Sequence, residues 1–140
     1  MRVLLSINPE HAFNIIDGSK RFEFRRKLFA RRDVKTVIIY CTMPIGKIIG
    51  EFDIEEFLEE DIDILWDLTS DDAGISHSHY YRYFSGKKKA SAMRIGAVRH
   101  YNEYVDPRDI MPKFTPPQSY MYVVGAGHAI TRPFENHVLI

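Results

Sequence analysis

The chain is 140 residues long, 45% hydrophobic and 27% charged, and its 19 basic and 19 acidic residues cancel to a formal net charge of zero. That length accommodates one ordinary hydrophobic core, and the composition excludes a globally disordered chain. The single cysteine, Cys41, excludes an intramolecular disulfide, and no apolar run nears the roughly 20 residues of a membrane span. Met1 is not followed by a basic segment leading into an apolar one, so a cytoplasmic location with no membrane role is expected.

Arg2–Ile7 (RVLLSI) reads as a short apolar strand. A helix follows over Pro9–Asp17, with proline in its first turn, an inner face of Ala12, Ile15 and Ile16, and Gly18 as its stop. Residues 20–26 (KRFEFRR) alternate. A strand over 21–26 therefore sets Arg21, Glu23 and Arg25 on the face opposite Phe22 and Phe24, with Lys20 at the helix–strand junction. Residues 34–41 (VKTVIIYC) are β-branched and apolar, suited to a buried strand that includes Cys41 as a structural thiol and closes at Pro44 and Gly46. A further strand over 47–54 carries Gly50 as a candidate bulge.

The acidic stretch beyond it changes period. Ile62, Leu65, Trp66 and Leu68 recur at helical spacing and Gly74 ends that helix. Ser76 is placed to cap a second helix through Tyr80, Tyr81, Tyr83 and Phe84, ended by Gly86. Strand character returns from Ala90 to Tyr104, centred on 93–101, with Gly96 as another candidate bulge. Pro107, Pro112, Pro116 and Pro117 mark a loop before a last strand over 120–124. The expected fold is α+β: a small, mostly antiparallel β-barrel over residues 1–124 with an early helix and a helical insertion, followed by a C-terminal tail, 125–140.

Charge is segregated along this order. Eight bases lie between Lys20 and Lys35 against only Glu23 and Asp33; eleven acids and no base lie between Glu51 and Asp72; six bases and no acid run from Arg82 to Arg99. Two basic blocks become one positive surface if the strands carrying them are neighbours, and such a surface attracts a polyanion despite the neutral total. Ordinary solvated faces are the alternative.

At Gly18-x-Lys20-x-x-Glu23-x-Arg25 the sequence resembles the ASCH domains, a branch of the PUA-like superfamily of RNA-associated barrels. Tyr40-Cys-Thr42-x-Pro44 followed by Ile48-Ile-Gly50-Glu51 is similar to the family's second strand pair. The insertion falls in the expected place, and Pro116-Pro-Gln118-Ser119 resembles a closing motif of one subgroup. The resemblance implies a barrel with a cleft at the helix–strand junction and RNA or a nucleotide as partner. One ASCH branch removes acyl groups from modified cytidine and looks to use a lysine, a threonine three residues on, and a distant glutamate. Lys20 matches the lysine and Glu51 is a loose counterpart of the glutamate, but Glu23 stands where the threonine nucleophile would be.

Lys20, Glu23 and Arg25 form the leading candidate site, since lysine supplies a point charge and arginine a planar fork for phosphate oxygens. An ion pair bracing the strand is the alternative. Arg26 is an added phosphate contact. Tyr40, Thr42, Lys47, Gln118 and Ser119 form a second group at strand ends, able to line a ligand. Within it Tyr40, Lys47 and Ser119 join Lys20 and Glu23 as candidate catalytic residues for cleavage of RNA without a metal. Tyr40 as a core aromatic is the alternative. No cofactor and no metal are expected. His77-x-His79 has no third ligand at suitable spacing, and both histidines read as solvated residues at a helix start. Gly125-x-Gly127-x-Ala129 lacks the helix and second strand that a dinucleotide fold requires. The acidic helix, 61–68, offers a surface to a protein partner.

Overall fold

The structure, a computed structural model, describes residues 1–123. The tail expected over 125–140, the end of the last strand at Val124 and the glycines of 125–127 lie outside the described residues. The elements run β1 (Arg2–Ile7), α1 (Pro9–Asp17), β2 (Phe22–Arg25), β3 (Thr36–Cys41), β4 (Lys47–Asp61), α2 (Ile62–Thr69), α3 (His77–Tyr83), β5 (Lys89–Val105) and β6 (Tyr120–Val123). All six strands join one sheet in the order β2-β5-β4-β3-β1-β6, antiparallel at every pairing except β1 with β3.

No ladder joins the edge strands β2 and β6 among the described residues, so the closed barrel expected from the sequence is corrected to an open sheet. Its edges nonetheless approach, because the Arg25 guanidinium on β2 donates to the Ser6 carbonyl on β1 and to Ser119 Oγ just before β6. The bulges fall where glycine permits them. The β4 register slips beside Gly50, where an added Cβ would lie 2.4 Å from the Arg99 carbonyl oxygen, and slips again opposite Gly96.

The larger correction concerns length. β4 runs through the acidic residues to Asp61 and β5 from Lys89 to Val105, so a long hairpin of 15- and 17-residue strands stands where shorter strands were expected. Cross-strand ion pairs make the acids compatible with a strand: Glu56 with Arg94 at 3.6 Å and Asp61 with Lys89 at 2.9 Å. β2 pairs with β5, so the strands carrying the two basic blocks are neighbours as anticipated, but the acidic strand β4 lies along the other edge of β5 and neutralises part of the second block.

α1 is built as its sequence dictates. The Asn8 side chain accepts from the His11 N–H, Pro9 opens the first turn, and Gly18 closes the helix in the left-handed region at φ 88°. Its Ala12 and Ile15 enter the main core with Val3, Val37, Ile39 and Phe52. The opposite face of β1, β3, β4 and β5 buries Leu4, Ile38, Tyr40, Ile48 and Tyr101 beneath the loop that carries Phe114. A third core packs α2 and α3 on β2 and β5 through Phe22, Phe24, Leu65, Tyr80 and Phe84. Ser76 caps α3 as expected, its Oγ accepting from the His79 N–H at 3.1 Å. Among the described residues, no helix is long and apolar enough to cross a membrane.

Candidate functional site

Lys20 emerges from the turn that ends α1, where its N–H donates to the Asn14 carbonyl at 3.0 Å. The side chain turns inward and is 2% exposed. Its ammonium donates to the Ala73 carbonyl at 3.0 Å and lies 4.9 Å from the centre of the Phe24 ring. Space for this lysine is made by Gly74, at φ 72°, where a Cβ would come within 2.5 Å of the Lys20 Cβ and Cγ. Burial pushes the Lys20 pKa down; Glu23 works against that shift and Arg25 adds to it.

Glu23 and Arg25 share one face of β2, as the alternation predicts, and their side chains pair at 2.9 Å. Arg25 also donates to Ser119 Oγ at 3.3 Å and to the Ser6 carbonyl at 3.2 Å, while its Nε is buried with no hydrogen-bond partner. Ser6 Oγ in turn donates to the Pro117 carbonyl at 2.7 Å, which fixes the segment bearing Ser119. Lys20, Glu23 and Arg25 thus converge, and Ser119 joins them through Arg25.

Around them opens a cleft of about 240 Å³, walled also by His11, His79 and Tyr83. The two imidazole rings are 5.4 Å apart, and His11 Nδ1 is buried with no partner. Burial, and then the nearby Lys20 charge, hold the His11 pKa below its ordinary value. The Tyr83 hydroxyl accepts from the Arg26 N–H at 3.2 Å and donates to the Phe24 carbonyl at 3.4 Å, and burial raises its pKa. Sequence reasoning assigned none of the three to this site. His79 is corrected from a solvated helix-start residue to part of the cleft wall, whereas its neighbour His77 stacks on Tyr81 at 4.6 Å. One signal was available for His11: it precedes the buried Ile15 by four residues and so shares its side of α1.

The remaining predicted residues lie elsewhere. Tyr40 is 4% exposed and packs 5.3 Å from the Phe114 ring, at a second cleft of about 180 Å³ with Met43, Arg108 and Pro116. Lys47 reaches Asp106 at 3.4 Å, and Arg108 grips the same carboxylate. Thr42 donates its N–H to the Ile7 carbonyl and accepts from Ile45 and Gly46 through its own carbonyl, so its backbone builds the turn. Gln118 is exposed. Arg26 lies outside the cleft, donating to the Tyr83 and Ser85 carbonyls. Glu51 belongs to a separate network on the other side of the sheet, accepting from the Tyr101 hydroxyl at 2.8 Å and from Arg99 at 3.0 Å. The Pro116–Ser119 segment separates the two clefts, with Pro116 at one and Ser119 hydrogen-bonded at the other.

The arrangement around Lys20 holds two cations against one carboxylate, with imidazole and phenol groups at the same opening. Such a set of groups can bind an anion and move a proton beside it.

No family model matches the chain. Known proteins nevertheless resemble it over most of its length. The ASCH domain-containing ribonuclease of Zymomonas mobilis is 32% identical over 124 residues, which cover 86% of this chain and 82% of that protein. Ribosomal protein uL22 of Ureaplasma parvum is 29% identical over 108 residues, 77% of this chain but 34% of that longer protein. The crystal structure of ASCH from Zymomonas mobilis superposes with a TM-score of 0.87 at 26% identity, covering 99% of this chain and 96% of that one. Shared sequence over most of both chains and a shared fold agree with the motif around Lys20: the chain belongs to the ASCH domain family.

Proposed function

We propose that the Lys20–Arg25 cleft is a basic site that binds RNA, or a nucleotide, through a phosphate group. The observation that carries this reading is the charge count of a buried site. Lys20 and Arg25 face a single carboxylate, Glu23, and an incoming anion completes the balance. Glu23, Ser6 and Ser119 hold the arginine fork in place, and Lys20 adds a point charge. A relative that covers most of this chain bears the name ribonuclease, which supports RNA as the source of the phosphate.

A second reading, cleavage of the bound strand, is favoured by that name and by the histidines at the opening. In cleavage without a metal the ribose 2′-hydroxyl loses its proton to a base and its oxygen attacks the adjacent phosphorus. The P–O5′ bond breaks, an acid protonates the leaving 5′ oxygen, and a 2′,3′-cyclic phosphate remains. His11, held neutral by burial, is the base in this reading, and Lys20 stabilises charge on the phosphoryl oxygens. The alternative acid–base residues are Tyr40 and Lys47 beside the second cleft and Ser119, which bonds Arg25 at the first. Glu23 is committed to Arg25, so no deacylation of cytidine is proposed.

Retention and cleavage of single-stranded RNA, measured with a chelator present, test both readings. Lys20→Ala and Arg25→Ala are expected to weaken retention roughly thirtyfold or more. His11→Ala is expected to abolish cleavage while retention persists. Unchanged retention in both cation variants overturns the phosphate site, and retention without turnover by the wild type overturns cleavage alone.

A further inference from the structure

The basic blocks divide into neutralised and unneutralised members. Arg32 pairs with Glu59 at 2.9 Å, Lys89 with Asp61 at 2.9 Å, Arg94 with Glu56 at 3.6 Å and Arg99 with Glu51 at 3.0 Å, all through acids of β4. Beyond Lys20, Arg21 and Lys35, the block members with no carboxylate within ion-pair distance among the described residues are Arg26, Lys27, Arg82, Lys87 and Lys88.

These five lie in two segments that touch. Arg26 donates to the Tyr83 carbonyl at 2.6 Å and to the Ser85 carbonyl at 3.1 Å, which clamps the end of β2 to the turn after α3. The Lys87 N–H closes that turn on the Phe84 carbonyl at 3.0 Å. Tyr83 also walls the Lys20 cleft, so the segments that carry these cations adjoin the cleft's wall. Like charges gathered on one surface without counter-charges repel one another and favour a polyanion that neutralises several at once.

We propose that Arg26, Lys27, Arg82, Lys87 and Lys88 form a track for the phosphates of an RNA strand that flanks the one held in the Lys20 cleft. This rests on the RNA reading above and extends it: the ligand is a polynucleotide several phosphates long, and the track distinguishes it from a mononucleotide. Arg26 also braces the turn, so Arg82, Lys87 and Lys88 are the residues to alter.

The experiment compares wild type with the combined Arg82→Ala, Lys87→Ala and Lys88→Ala variant. Binding of a single-stranded RNA of about a dozen nucleotides and of AMP is measured over a salt series. The variant is expected to bind AMP as the wild type does. Its salt dependence on RNA should be shallower by about 2 in log K against log salt, from three contacts at roughly 0.7 each. The Lys87→Arg, Lys88→Arg variant should keep the full slope. An unaltered slope in the alanine variant, with wild-type RNA binding intact, overturns the track and leaves the cleft reading standing. Wild type that binds AMP but shows no salt-dependent gain on RNA also overturns the track, and wild type that binds neither overturns the cleft reading. An acidic peptide of equal charge bound with equal affinity and slope makes the track a protein-binding surface and overturns its assignment to RNA.

Discussion

Two charge constellations sit on this sheet, the first partly exposed and the second buried, and they are built to opposite ends. At the first, Glu51 accepts from Tyr101 and Arg99, Arg99 also bonds Asp53, and Asp53 accepts from Thr36. Every carboxylate there has donors, and the contacts tie the long hairpin of β4 and β5 together with β3. At the second, Lys20 and Arg25 outnumber Glu23, Arg25 Nε and His11 Nδ1 have no partner, and a cleft opens beside them. Buried polar groups are ordinarily satisfied, so the exceptions mark where something besides stability shaped the sequence. The satisfied network is a brace; the unsatisfied one is a site.

The largest expected contrast breaks each constellation in turn. Glu51→Ala removes the carboxylate to which the buried Tyr101 hydroxyl donates and one anchor of Arg99, and should cost about 3 kcal/mol in urea unfolding. Lys20→Met exchanges a buried ammonium for an apolar chain of similar length and should change stability by no more than about 1 kcal/mol. A Lys20→Met protein destabilised as much as Glu51→Ala would make the cleft a second brace. Next in size is Gly74→Ala, which places a methyl against Lys20 at a positive φ; a loss of about 1–2 kcal/mol is expected, with weakened RNA retention because the lysine must move.

The smallest effect is in pH dependence. Burial, Lys20 and His79 lower the His11 pKa, while Glu23 and Glu10 oppose them. The unfolded chain therefore binds this proton more readily than the folded one. The contribution of His11 to stability is complete above its unfolded pKa of about 6.5 and is lost as pH falls through the lower folded value. Anion binding runs the other way, because a protonated His11 adds positive charge to the cleft. His11→Gln should flatten both slopes in unfolding and phosphate-binding titrations between about pH 5 and 7.

What the sequence disclosed divides along the same line. Elements set by local signals were legible: the start and stop of α1 in Pro9 and Gly18, the apolar strand ending at Cys41, the Ser76 cap, and the alternation that pairs Glu23 with Arg25. The length of β4 was not, because Glu56 and Asp61 are tolerated in a strand through Arg94 and Lys89, which lie far along the chain. Barrel closure also failed as an expectation, since ladder hydrogen bonds between edge strands leave no local signature. At the site, the spacing of Lys20, Glu23 and Arg25 was readable. The inward turn of Lys20 was not, for it depends on Gly74 vacating the space. Tyr40 and Ser119, grouped by their places at strand ends, were parted because one faces the Phe114 loop and the other the β2 edge.

The contact between Arg25 and Ser119 spans 94 residues, and that between Lys20 and Ala73 spans 53. A chain made from its N-terminus exposes the Lys20–Arg25 segment long before the residues that enclose it exist. Early in synthesis that segment is an open basic stretch with no pocket, and its ammonium and guanidinium groups are hydrated like any others. Only a chain extended through Ser119 can close the contact that draws the β2 edge toward β6. The cleft's walls are thus complete only after α3 has been made, and a polypeptide halted before Ser119 would still lack Arg25's hydroxyl partner.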